Sequence, residues 1–262
     1  MREEPGRVRV EYGGEGKGIL ARVVLSNPAK FNAMSRSMWR ALKQIFLELN
    51  GREELRCVVL VGEGGHFCSG GDIAEYPGFR FEEASLRAFH EEDVWGALQT
   101  ILDCPVPVIA EIQGNCMGAG VELACCCDIR VAGGGARFGA PIARLGFPMA
   151  PREAQLVSRE VGLSMARSML LEAALFEAAE MREQGFLNTV VAQAELAGHV
   201  QKRAAAVCQL APQAARLNKQ TFRAMNAAAG VDASLRQAYA YADTAEHKEG
   251  IAAFLDKRPP AF

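Results

Sequence analysis

Apolar and polar positions change period along this chain, and the changes mark its elements. Alternation over Val8 to Tyr12 and an apolar run from Ile19 to Leu25 read as two strands, joined through GGEGKG as a hairpin. After Ser35, a residue suited to capping, apolar Met38, Leu42, Ile45, Phe46 and Leu49 share one face of a helix reaching about Asn50. Arg56 to Val61 and Val108 to Ile112 are short and almost wholly apolar, as strands buried on both faces are. Helical periodicity spans about Phe81 to Leu102, and CPVP (104–107) stops it. The short apolar helix around Glu122 is followed by a strand at Ile129 to Ala132 and by GGGARFGAP, read as a loop. Helices are expected near Pro151 to Val161 and Ser164 to Ala174, with another ending at Gly185, and a strand at Asn188 to Ala192. From about Ala194 the strand pattern ends and the chain is Ala-rich and helical. The pattern predicts an α/β core over 1–194 and a helical region over 195–262.

Two glycine-rich loops, GEGGHFCSGGDI (62–73) and the stretch ending GAG (118–120), each follow a buried strand. Ligands gather where such loops cluster in α/β folds. Gly118, Ala119 and Gly120 bring backbone N–H groups to a helix N-terminus, where partial positive charge collects. Such an end suits an anion, or an oxygen that becomes anionic during a reaction. Glu122 lies one turn further on in apolar company. A carboxylate beside an oxyanion site is equipped to move protons next to a carbonyl. The competing explanation is close packing of small residues and a glutamate favoured by the helix dipole. The spacing is not a dinucleotide fingerprint, and no GK[ST] phosphate loop occurs.

Composition narrows the field. The 262 residues, half of them hydrophobic and 23% charged, suit one large globular domain or a core with an appendage. A net charge of −2 supplies no pull toward nucleic acid or anionic membrane. No apolar run approaches a membrane span, and MREEPGRVRV lacks a signal-peptide core, so a cytoplasmic location is expected. None of the eight cysteines forms a C-x-x-C pair, and the four histidines are scattered, so no metal is expected. Cys125, Cys126 and Cys127 read as small buried hydrophobes.

Taken in register, six segments resemble the crotonase superfamily, the enoyl-CoA hydratase/isomerase family. They are NPAKFNAM, FCSGGDI, VPVIAEIQGNCMGAGVELACCCD, FGAPIARLG, the EAxxxGFLNTVV segment and FLDKRPPAF, and together they run over nearly the whole chain. The resemblance implies a spiral of ββα units with C-terminal helices that build a homotrimer or homohexamer. It implies an acyl-CoA thioester as the ligand, with no other cofactor. By position, the N–H groups of Gly71 and Ala119 match the oxyanion hole, and Glu122 matches one catalytic acid/base. Lys30, Phe31, Gly71, Asp72 and Ile73 match positions lining coenzyme A, although a solvated Lys30 and a turn-capping Asp72 are the plainer readings. Asp128 is expected to fix a buried turn.

Two departures bear on the chemistry. Hydratases of this family carry a second glutamate just after FGAP, where this chain has Ile142, and isoleucine cannot transfer a proton. The loop LGFPMAPREAQL also departs, with Glu153 read first as a helix-start carboxylate and only second as a replacement acid. Arg144 is read as a solvated charge or a pocket charge, and Glu91, Glu92 and Asp93 as an exposed helix face. The expected activity is therefore of hydratase or isomerase type. Other enolate chemistry (decarboxylase, dehydratase, thioester hydrolase) and a weakly active CoA-thioester-binding protein stand as alternatives. Near-neutral charge argues against an RNA-binding member.

Overall fold

The computed structural model describes residues 5–13, 19–225 and 244–262. β1 (Arg7–Gly13) and β2 (Ile19–Ser26) pair antiparallel with Val10 opposite Val23, while residues 14–18 of the expected turn lie outside the described residues. α1 (Arg36–Asn50) starts where expected, the Ser35 hydroxyl accepting a hydrogen bond from Met38 N at 3.2 Å. It buries Met38, Trp39, Leu42, Phe46 and Leu49 against the sheet and carries the chain over to β3 (Leu55–Gly62), parallel to β2.

The expected single helix before CPVP is three segments: α2 (Glu83–Ala88), a π-helical turn (Phe89–Val94) and α3 (Trp95–Leu102). Asp93 supplies a physical reason for the wide turn. It is buried, and both its oxygens are taken by Arg36 and Arg40 of α1 at 2.7–2.8 Å. Glu91 and Glu92 are exposed, as expected of that face, and Glu91 pairs with Arg152 at the surface.

β4 (Val108–Ile112) extends the sheet, and β5 (Asn115–Met117) leads into α4 (Ala119–Cys125). β6 (Ile129–Gly133) and β7 (Arg137–Gly139) follow, then α5 (Pro151–Val161) and α6 (Leu163–Leu171). β8 (Leu175–Glu177), α7 (Ala178–Glu183) and β9 (Thr189–Val191) complete the strand-bearing part. Strand order in the main sheet is β1-β2-β3-β4-β6-β9, parallel from β2 onward. A second sheet, β5-β7-β8, corrects the reading of GNCMG and GGGARFGAP as plain loops. Its strands have three residues each, too short to display a period of two.

Alternation along β3 and β4 divides the core. Val58, Leu60, Val108, Ala110 and Ile112 face the large cluster with α1 and α4, while Cys57, Val59 and Ile109 face the other way. Leu196, Val200 and Ala204 of α8 (Leu196–Cys208) cover that second face. α9 (Pro212–Met225) is tied down by Lys219, buried and bonded to Val106 O and to Asp128 at 2.6 Å. Asp128 also accepts from Val108 N at 2.7 Å, so it does fix a buried turn. α10 (Ala245–Leu255) lies near the C-terminus.

Isolated backbone links lace the two glycine loops to each other and to the segments beside them. Cys68 forms a parallel bridge with Cys116, through Cys68 N to Asn115 O and Met117 N to Cys68 O, both 2.9 Å. Gly71 is bridged to Met34, and Gly118 N donates to Gly139 O at 2.8 Å. The fit is tight enough that a β-carbon on Gly120 would lie 2.5 Å from the Cys68 carbonyl oxygen. Gly120→Val therefore has to part the loops, and is expected to lose about 1–3 kcal/mol in urea unfolding. Unchanged stability would show that the loops are not held at this spacing.

Candidate active site

Among the N–H groups left unspent at the cavity are two of note, one from the bridge pattern and one from the start of α4. In a parallel bridge the central residue's own amide is idle, because its neighbours make the bonds. Between Met34 and Gly71 the donors are Met34 N, to Gly70 O at 2.8 Å, and Asp72 N, to Met34 O at 2.9 Å. Gly71 N meets no acceptor among the described residues. Ala119 is the first residue of α4, so its N–H has no partner within the helix. Gly118, at φ 49° and ψ −110°, makes the sharp turn that starts α4 there. Gly71 and Ala119 line one cavity of about 230 Å³, and Glu122 lies in its wall.

Glu122 projects from the first turn of α4 and is 7% exposed. No hydrogen-bond donor among the described residues reaches its carboxyl. Burial, and then the neighbouring Glu153 carboxylate, raise its pKa well above the ordinary value. Burial disfavours the charged form, and no salt bridge to a cation among the described residues offsets it. Tyr76 also lines the cavity, its phenol pushed up to about 12 chiefly by burial. A β-carbon on Gly71 would run into the Tyr76 hydroxyl, so a larger residue there has to displace that side chain.

The structure corrects the first reading of Glu153. It does sit in the first turn of α5, but its side chain is only 3% exposed and lines the same cavity as Glu122. His90 Nδ1 lies 2.9 Å from Glu153 Oε1, and Arg80 Nη1 lies 3.3 Å from His90 Nε2. Arginine can only donate, so Nε2 accepts and the ring proton sits on Nδ1, from which it is donated to Glu153. The Arg80 guanidinium stacks on Phe147 and Tyr76, 4.0 and 4.5 Å from their ring centres. Sequence reasoning missed His90, Arg80, Tyr76 and Phe147. No local spacing marks His90, because its partner lies 63 residues away.

Other expected residues distribute as follows. Ile142 lines the cavity and is half-buried. Ile73 is 46% exposed at its rim. Asp72 is buried and caps the 3₁₀ turn that begins at Ile73, Ala74 N donating to it at 3.2 Å. Its other oxygen takes Lys30 at 2.7 Å, so Lys30 is ion-paired rather than simply solvated. Phe31 is about half exposed and edges onto the His66 ring. Lys30, Phe31 and Asp72 lie beside the cavity loop but do not line the cavity itself. Arg144 is exposed and bonds Ala173 O.

Cys68 and Cys116 are fully buried behind the loops, and burial pushes the Cys68 thiol up to about 12, which makes it a poor nucleophile. Among the described residues no cluster of three or more His, Cys, Asp or Glu side chains is placed to hold a metal ion. No helix among them is long and apolar enough to cross a membrane.

Comparison with known proteins gives the family and the fold. The family model described as enoyl-CoA hydratase/isomerase matches residues 15–262. A short-chain-enoyl-CoA hydratase of Clostridium acetobutylicum is 30% identical over 250 residues, covering 93% of this chain and 94% of the relative. The crystal structure of an enoyl-CoA hydratase/carnithine racemase from Magnetospirillum magneticum superposes with a TM-score of 0.91 at 34% identity, covering 97% and 94% of the two chains. An enoyl-CoA hydratase from Bacillus anthracis superposes at 0.88 with 26% identity, covering 98% of each. The fold is thus the crotonase fold, and the chain belongs to the enoyl-CoA hydratase/isomerase family.

Proposed function

We propose that the cavity binds the acyl end of a coenzyme A thioester, with the carbonyl oxygen between Gly71 N–H and Ala119 N–H and Glu122 exchanging a proton beside it. The observation that carries this is the convergence of two unspent amides and one buried carboxyl on a single cavity. Taking a proton from the carbon next to a thioester, or adding a nucleophile one carbon further on, moves charge onto the carbonyl oxygen as an enolate. Two fixed donors in a site with little water stabilise that charge by about 3 kcal/mol each. Because both are held by the loop lacing, no reorganisation is needed as the charge develops. The reaction is of enoyl-CoA hydratase or isomerase type, and it requires no coenzyme beyond the one carried by the substrate. Ile73, at the cavity rim, and the Lys30–Asp72 pair with Phe31 beside it form the flank along which the coenzyme portion would lie.

An assembly is proposed as well. Leu210, Phe222, Met225, Ile251, Phe254 and Leu255 of the C-terminal region are each more than half exposed. That much apolar surface on α9, α10 and the turn before α9 suits contact with other copies of the chain. Light scattering coupled to gel filtration is expected to give a trimer or hexamer, and a stable monomer would contradict the assignment.

Glu122→Gln keeps shape and removes the titrating group. Against 2-enoyl- and 3-enoyl-CoA thioesters it is expected to lower turnover by roughly 10²–10⁴-fold. Wild-type-like turnover in the variant would refute the role of Glu122. A second outcome follows from the proton held on Glu122. The folded chain keeps it to higher pH than the unfolded chain does, so the carboxyl's contribution is present at low pH and lost as pH rises past the ordinary carboxylate range. The Tm of Glu122→Gln relative to wild type is therefore expected to rise between about pH 5 and about pH 8. A pH-independent difference would mean that Glu122 ionises normally in the folded protein.

A further inference from the structure

The cavity holds a second carboxylate whose surroundings are built rather than incidental. A glutamate that served only the helix dipole would sit in water at the start of α5. Glu153 is instead almost wholly buried, and the cost of desolvation is offset by one neutral donor, the Nδ1–H of His90. That imidazole is fixed in turn by Arg80, and Arg80 by the rings of Phe147 and Tyr76. His90 comes from the π-helical turn, a wide turn of the kind common at functional positions. The chain engages only Oε1, and Oε2 meets no donor among the described residues. Ile142, which lines the same cavity, carries nothing that could do proton chemistry.

We propose that Glu153 is a second catalytic acid–base residue of this site, positioned by Arg80 and His90, and that it works with Glu122 on two different atoms of the reacting acyl group. The proposal rests on the cavity being a coenzyme A thioester site. For a 2-enoyl thioester, Glu153 takes a proton from water as the water oxygen bonds to C3. The C2=C3 electron pair becomes the new C2=C1 bond, and the carbonyl pair moves onto the oxygen between Gly71 N–H and Ala119 N–H. When that enolate collapses, C2 takes the proton of Glu122. Water has then been added across the double bond, Glu153 holds one proton and Glu122 has lost one. Transfer between the two carboxyls in the shared cavity restores the starting state. For a 3-enoyl thioester the pair works without water from the alternative state with the proton on Glu153: Glu122 takes a proton from C2 to give the dienolate, and as the carbonyl re-forms the C2=C3 bond is made and C4 takes the proton of Glu153. A carboxylate arriving from α5 thus supplies what Ile142 cannot.

The test compares Glu153→Gln with Glu122→Gln and wild type, measuring turnover of 2-enoyl and 3-enoyl thioesters and, by calorimetry, binding of a saturated acyl-CoA. Glu153→Gln is expected to bind the saturated thioester like wild type while kcat falls roughly 10²–10⁴-fold. Were the glutamine variant to misfold, Glu153→Asp keeps a titratable group one methylene shorter, and is expected to bind normally with reduced kcat. His90→Gln, whose amide still donates, is expected to keep more of kcat than His90→Ala at equal thioester binding. Wild-type kcat in Glu153→Gln, beside a Glu122→Gln variant that is inactive, would overturn this proposal alone. No turnover of any thioester by the wild-type protein would overturn the enzymatic reading beneath it as well.

Discussion

Everything at this site depends on how the backbone spends its hydrogen bonds. The loop after β3 is bridged to the chain on both sides, at Cys68 to β5 and at Gly71 to Met34; Cys68 bears both bonds of the first bridge, but in the second the flanking Gly70 and Asp72 bear them and Gly71 N is left over. A buried N–H that meets no partner is expensive, at about 1–3 kcal/mol. Along these loops the amides of Phe67, Cys68, Ser69, Asp72, Asn115, Met117 and Gly118 all find acceptors, whereas those of Gly71 and Ala119 do not and lie at the cavity. A pair of donors left unpaired at such a point is an electrostatic resource, aimed and rigid before any ligand arrives.

The acids follow from the same architecture. α4 starts immediately after the laced loop, so its first turn is driven into the interior, and Glu122 goes with it. α5 starts beyond Met149, itself buried, and its first turn meets the π-helical segment, which brings Glu153 to His90. Burial, and then the neighbouring carboxylate of Glu153, raise the pKa of Glu122 well above the ordinary value. On the proposed reading, this gives one site that both donates and accepts a proton, with the backbone amides stabilising charge between those events.

Much of this was legible in the residue pattern. Strands buried on both faces show as apolar runs, so β3 and β4 were placed to within a residue or two, and the Ser35 cap and the apolar stripe below it announced α1. The Gly118–Gly120 run and the lone acid after it pointed to the donor and the carboxyl because both belong to one short segment. The rest was illegible because it is made of distant partners. β5, β7 and β8 are too short to carry a period. The π turn answers to a long-range demand, the two arginines that claim Asp93. Glu153 looked like an ordinary helix-start acid because nothing local says that α5 begins facing inward, and His90 joins the site only through the tertiary fold.

The vibrational frequency of a bound thioester carbonyl reads the central claim directly. With an isotopically labelled acyl-CoA that the protein binds, two hydrogen bonds from Gly71 N–H and Ala119 N–H must polarise the carbonyl and move its stretch to lower frequency than in free solution. Difference infrared spectra of the complex are expected to show that downward shift. A band at or above the solution frequency would mean that these amides do not grip the carbonyl, and the account of this site would fail.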